Sequence, residues 1–263
     1  MKKILFFAII INYINVYSQN GIVNYGYIES LTIGSAVGDD YNSILKFNDF
    51  QSEFISGRES LEKPEELNIE KVYENPNGSG GFISSGLIVT PNGNQVITNL
   101  NENKMLSNIK FGQQYYLKDS IPIIKWKIFK KETKKIGKFK CIKATSTFRG
   151  RDYTAWFTPE IPVLFGPWKL NGLPGLILEA YDTNKNVYWY FKNIQYPAEN
   201  IEISSSLVNE KLEIQNEFLS VEQFSLKMIE LIEKANEKSL IFSKQNDVDI
   251  EPIKYESVFI EKF

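Results

Sequence analysis

From Gly21 to Tyr196 the chain reads as short apolar runs and loose alternations broken by turn residues. That is the period of a pleated strand rather than of a helix. Gly21–Ile33 alternates and predicts a long strand. Ser43–Ile55 carries Ile44, Leu45, Phe47, Phe50, Phe54 and Ile55 and predicts another, broken near Asn48-Asp49. Residues 56–80 are polar, hold Pro64 and Pro76, and predict a loop. A hairpin is expected from Phe82–Val89 and Gln95–Leu100 across Pro91-Asn92-Gly93-Asn94. Further strands are expected around 114–118, 123–131, 138–148 and 152–158.

Residues 159–175 hold Pro159, Pro162, Pro167 and Pro174, which denies that stretch a central place in a sheet. Leu176–Tyr181 and Val187–Tyr196 then predict a second hairpin across Asp182-Thr183-Asn184-Lys185. The period lengthens to 3.6 only over 221–241. There Ser220 and Gln223 form a capping box, and Val221, Phe224, Met228, Leu231 and Ala235 share a stripe. Glu230 and Lys234 stand as an i,i+4 pair. The tail from Lys244 is polar and ends in a strand-like Tyr255–Ile260. The fold class is α+β: a mainly antiparallel sheet, flat or curved into a half-barrel, with one helix packed on it near the C-terminus.

The first residues follow a different logic. Met1-Lys2-Lys3, the apolar run Ile4–Ile11 and the small Val16 and Ser18 read as a signal peptide cut between Ser18 and Gln19. The apolar run is far short of the roughly 20 residues that span a bilayer. No Cys stands near the cut to carry a lipid. The expectation is a periplasmic or secreted protein with residues 19–263 as one β-rich domain and no transmembrane segment after cleavage.

Composition narrows the chemistry. The 263 residues contain no His and one Cys. Without imidazole there is no Ser-His-Asp triad, no Cys-His pair and no His-containing metal site. A single Cys excludes an internal disulfide and multi-Cys metal or iron–sulfur sites. The formal charge of -2 and pI near 5.5 argue against general nucleic-acid binding. No cofactor and no metal is expected.

What remains is weighed residue by residue. Cys141 reads as a buried small hydrophobe, with Phe139 on the same strand face and Lys138 and Lys140 on the other. Lysines at 125, 127, 130, 131, 134, 135, 138, 140 and 143 form a basic ribbon. The ribbon protects an edge hairpin or offers a patch to an anionic partner. Arg151 and Glu160 are expected as an ion pair across the proline-rich loop, or as the lining of a cleft. Asp152, Glu160 and Glu179 are the carboxylates a His-free hydrolase would use. Tyr181, Tyr188, Trp189, Tyr190, Phe191 and Tyr196 fall on both faces of one strand, so that strand is covered twice or faces a pocket. The ligand-contact candidates are Arg149, Arg151, Trp156, Trp168 and Trp189.

Gly172-Leu173-Pro174-Gly175-Leu176-Ile177 follows the turn dipeptide Asn171-Gly172 and contains a second, Pro174-Gly175. Physically this is a double corner with Leu173 as a plug. The stretch resembles the bacterial GLPGLI family. The preceding Cys141–Thr145 and Phe148–Pro162 block is similar to that family's, and the likeness is strong over about 126–182. The resemblance implies a secreted or periplasmic envelope protein of unestablished role and carries over no catalytic residue. Its β-rich pattern is also similar to half-barrel periplasmic lipid and lipoprotein carriers, as a fold-level analogy.

Aromatic excess without a catalytic set favours a non-enzymatic binding or carrier protein. Its partner would be an apolar small molecule, a lipid or an envelope protein. A carboxylate hydrolase and an assembly factor acting through protein contacts stay open beside it.

Overall fold

A computed structural model describes residues 19–29, 39–58, 71–73, 82–84, 93–111, 113–199, 201–203, 207, 218–254 and 260–261. The segment 1–18 read as a signal peptide, and most of the strand-like 255–260, lie outside the described residues.

The first strands are β1 (Gly21–Glu29), β2 (Asp39–Phe47) and β3 (Gln51–Arg58). The sequence reading merged β2 and β3 into one broken strand; they are two strands of a hairpin. Asn48 makes the turn, its Oδ1 accepting the N–H groups of Phe50 (2.9 Å) and Gln51 (2.7 Å). Next come β4 (Lys71–Tyr73) and β5 (Phe82–Ser84), which pair only with each other, then β6 (Asn94–Asn99). The expected hairpin joining 82–89 to 95–100 is not formed. β6 pairs instead with β3 and with β7 (Lys104–Phe111), which the sequence reading missed. In β7 Met105, Leu106, Ser107 and Asn108 are all buried, so both faces are covered and the period-two signal is lost.

β8 (Gln113–Asp119) follows, and then a second meander: β9 (Lys127–Ile136), β10 (Phe139–Phe148), β11 (Arg151–Thr158), β12 (Leu176–Asp182) and β13 (Val187–Gln195). With β14 (Phe218–Leu219), the strands form one open sheet in the order β14-β8-β7-β6-β3-β2-β1-β13-β12-β11-β10-β9. All its pairs are antiparallel except β14 on β8. Two meanders are joined where β1 meets β13, with Ile22 opposite Gln195. The sheet has 12 strands and is not closed into a barrel.

Helix α1 (Val221–Asn246) is five residues longer than expected and starts at the predicted capping box. It ends where Asp247 takes a left-handed conformation, φ 53°, and returns its N–H to Ser243. Its buried stripe is Val221, Phe224, Ser225, Met228 and Ile232. Positions 221, 225, 228 and 232 keep the 3.6 period, which leaves the expected Leu231 and Ala235 at the margin. Phe224, Met228 and Ile232 fill the seam against Tyr115 and Leu117 of β8. Glu230 and Lys234 do form their exposed pair.

The main core lies on the inner face of β1–β3 and β10–β13. Residues 159–175 fold into it: Ile161, Val163, Phe165, Leu170 and Leu173 are buried. The loop is stitched to the following strand by Leu176 N–H to Ile161 O (2.9 Å) and Ile177 N–H to Phe165 O (3.1 Å). The proline-rich segment is thus ordered, irregular and internal.

Candidate functional site

The inner face of β1, β3, β6 and β7, the start of α1, the 159–175 loop and the tail residues Ile260 and Glu261 enclose a bay of about 90 Å3. Its wall is mixed. Trp168, Phe54, Val96 and Phe224 are apolar, while Glu29, Ser56, Asn94, Ser107, Lys169 and Glu261 bring polar groups.

Stacked aromatics form its floor. Tyr27 lies on Trp189 with ring centres 5.3 Å apart and planes 8° off parallel. Trp189 lies in turn on Trp168, at 5.9 Å and 13°. Tyr153 and Phe148 meet the edge of the stack. Trp168 takes a left-handed backbone, φ 55°, unusual for so large a side chain.

Charges surround the stack. Arg151, buried on β11, pairs with Asp182 of β12 (Nη1 to Oδ2, 2.9 Å) and donates from Nε to the carbonyl of Ile260 (2.6 Å). Lys169 donates to Glu261 in a second buried pair. The Lys169–Glu261 pair ties the tail to the loop, and the Arg151–Ile260 bond ties the tail to β11. Glu29, at the end of β1, accepts the Tyr27 hydroxyl at 2.5 Å. Loss of solvent pushes its carboxyl up to about 7, against the opposing pull of the Tyr27 hydroxyl and the Arg151 guanidinium.

That shift sets a pH dependence. Unfolded, Glu29 ionises near 4.5; folded, near 7. Between these values the folded chain holds a proton that the unfolded chain has released, so stability falls as pH rises through the window. The loss is on the order of 2–3 kcal/mol, since Glu29 keeps some solvent contact. Glu29→Gln is therefore expected to match the parent at pH 4 and to exceed it by about 2 kcal/mol at pH 8. Urea unfolding at both pH values checks this; parallel curves for the two proteins would refute it.

The sequence-derived candidates divide. Trp168 lines the bay, with Trp189 and Arg151 directly behind it. Arg149 lies apart, in the β10–β11 turn at φ 48°, paired with Asp119 at 2.6 Å. Trp156 faces outward beneath Lys134, whose Nζ stands 4.5 Å from its ring. The expected Arg151–Glu160 pair is corrected: Arg151 binds Asp182, and Glu160 accepts the backbone N–H of Lys140 at 2.8 Å. Glu29, Lys169 and Glu261 were not singled out from sequence. Only their burial marks them, and an isolated Glu, Lys or C-terminal Glu carries no local signal.

The three carboxylates weighed for hydrolysis have separate partners. Asp152 accepts the Thr147 hydroxyl, Glu160 the Lys140 N–H, and Glu179 the Lys134 ammonium at 2.7 Å. Asp152 lines a hydroxyl-rich surface groove with Thr145, Thr147 and Thr154. Cys141 is fully buried, and burial pushes its thiol up to about 12. The lysine ribbon runs along β9, at one edge of the sheet, where lysine opposes pairing with another strand. Lys134 and Lys143 within it are paired, to Glu179 and Glu132.

On β13 Val187 and Trp189 enter the core, while Tyr188 and Tyr190 lie half-covered on the outer face. There Lys185 caps Tyr181 and Tyr188, and Lys192 caps Tyr190. In the motif, Leu173, Leu176 and Ile177 are fully buried, Gly172 and Pro174 are exposed, and the Tyr25 hydroxyl donates to the Ile177 carbonyl at 2.7 Å. No described helix is long and apolar enough to cross a membrane.

Residues 148–179 match a family described as "Protein of unknown function (Porph_ging)". No curated protein matches the chain. Among solved structures the chain is similar to PNGF-II in the C2 and P21 space groups. Identities are 13% and 14%, TM-scores 0.46 and 0.47, with 77% and 79% of this chain covered. The chain spans about a third of the length of PNGF-II, 31% and 32%.

Proposed function

We propose that this chain is an envelope protein of the GLPGLI type, exported with residues 1–18 removed and 19–263 forming one domain. It acts in the periplasm or outside the cell as a non-enzymatic binding protein. The matched segment 148–179 contains the 172–177 motif, which supports the family reading. The observation that carries the binding reading is the bay: a hollow of mixed apolar and polar lining at the end of an otherwise filled helix–sheet seam. Sites for drug-sized ligands or acyl chains run to roughly 300 Å3 and more. The occupant is therefore a small polar molecule rather than a lipid chain.

A second reading has its own observation. Leu226, Ile229, Leu240, Ile241 and Phe242 are exposed on α1, which favours a protein-contact role.

Native mass spectrometry of the full chain purified from its own envelope tests both. The expected result is a bound small molecule at one per chain, lost on Trp168→Ala. A chain that is empty of small molecules but crosslinked to another envelope protein through α1 would overturn the binding reading in favour of the second.

A further inference from the structure

We infer that the bay lined by Glu29, Asn94, Trp168 and Glu261 takes a small monocation bearing a primary ammonium group. This rests on the bay being the binding site, and names its ligand class.

The first argument is charge. Among the described residues, the charged groups lining the bay are two carboxylates, Glu29 and Glu261, and one ammonium, Lys169. Lys169 is bonded to Glu261. Arg151 lies close enough to act on Glu29, yet its guanidinium is engaged by Asp182 at 2.9 Å and by the Ile260 carbonyl at 2.6 Å. One negative charge is left over, on Glu29. An anionic ligand would add to that excess and a neutral one would leave it; a monocation cancels it.

The second argument is hydrogen bonding. Asn94 Oδ1 is buried without a hydrogen-bond partner, and a buried acceptor left unmade is costly. Glu29 uses Oε2 for the Tyr27 hydroxyl, and Oε1 makes no described hydrogen bond. An ammonium group offers three donors and no acceptor. The wall already tolerates such a group: Lys169 Nζ stands 5.7 Å from the centre of the Trp168 ring.

Size is the third. One enclosed water needs about 10–15 Å3 of such cavity space, so 90 Å3 admits a small molecule of several non-hydrogen atoms. Ethanolamine has that size and charge.

Titration follows from the same geometry. Glu29 is faced by Tyr27 on its own strand, by Arg151 with Asp182 and Tyr153 behind it, and across the bay by Lys169 and Glu261. With the bay empty its carboxyl ionises near 7. A bound cation favours the ionised form, so binding at pH 7 releases about half a proton.

The test is isothermal titration of the full chain with ethanolamine, with neutral ethylene glycol and anionic glycolate as same-shape controls, and with sodium chloride. At pH 8 ethanolamine is expected to bind at least tenfold more tightly than any of the three. At pH 7, buffers of different ionisation enthalpy should report about half a proton released per ethanolamine bound. Glu29→Gln keeps an acceptor for Tyr27; it should weaken ethanolamine binding at least tenfold and abolish the proton release.

Equal binding of ethylene glycol, glycolate or sodium would overturn the ammonium inference and leave the small-ligand reading intact. So would ethanolamine binding indifferent to Glu29→Gln. No binding of any probe to a chain that native mass spectrometry also finds empty would remove both. The comparison among probes uses the parent chain alone, so it stands even if the variant folds poorly.

Discussion

Replacing Gly175 with alanine is expected to lower stability by about 4 kcal/mol or more, or to prevent folding, while Gly172→Ala three residues earlier costs only about 1–2 kcal/mol. Both glycines have positive φ, +152° and +87°. Backbone preference alone would predict similar penalties. The surroundings separate them.

A Cβ on Gly175 would stand 2.2 Å from the carbonyl oxygen of Thr158, 2.7 Å from its carbonyl carbon and 2.9 Å from Pro159 Cα. All three are backbone atoms at the end of β11, where Thr158 lies opposite Leu176. Relief requires β11 and β12 to part, and with them the fully buried Leu176 and Ile177. A Cβ on Gly172 meets nothing within 4 Å, so only the φ penalty remains. Urea unfolding of the two variants decides; equal costs would mean that the corner tolerates a shift of β11.

The double corner around Leu173 could be read from turn residues because the geometry it needs is local. The same holds for the 176–196 hairpin, the capping box at Ser220 and the proline loop, since their signals lie within a few residues. The central joint of the sheet was not legible. Ile22 meets Gln195 across the whole length of both meanders, and no local pattern specifies that pairing. β7 escaped because burial of Ser107 and Asn108 beside Met105 and Leu106 erases the alternation.

The site fared similarly. Trp168, Trp189 and Arg151 stand out by residue type and density, and they do gather round the bay. Glu29, Lys169 and Glu261 come from the first strand, the loop and the tail. Their joint chemistry exists only once those three are brought together.

Arg151→Met should cost about 3–5 kcal/mol, a large part of the total stability of an ordinary domain. The reason is what the change strands rather than what it removes. Arg151 and Asp182 are nearly inaccessible, with side-chain exposures of 2% and 6%. Without the guanidinium, the Asp182 carboxylate keeps only the Val187 N–H at 3.1 Å among its described partners. The Ile260 carbonyl loses its 2.6 Å donor, and the tail loses a tie to β11 while Lys169–Glu261 stays.

Asp182→Asn should cost less, because the uncovered guanidinium still has Ile260 and the nearby Glu29 carboxylate. The double variant should recover roughly half the loss of Arg151→Met. Its amide is neutral and still accepts from Val187, which removes the buried charge but not the gap. A double-mutant cycle by urea unfolding measures the coupling. A cost below about 1 kcal/mol for Arg151→Met would mean that water reaches and screens the pair. Removing Arg151 also withdraws the positive charge that holds Glu29 down, so the pH at which Glu29 titrates should rise further in this variant.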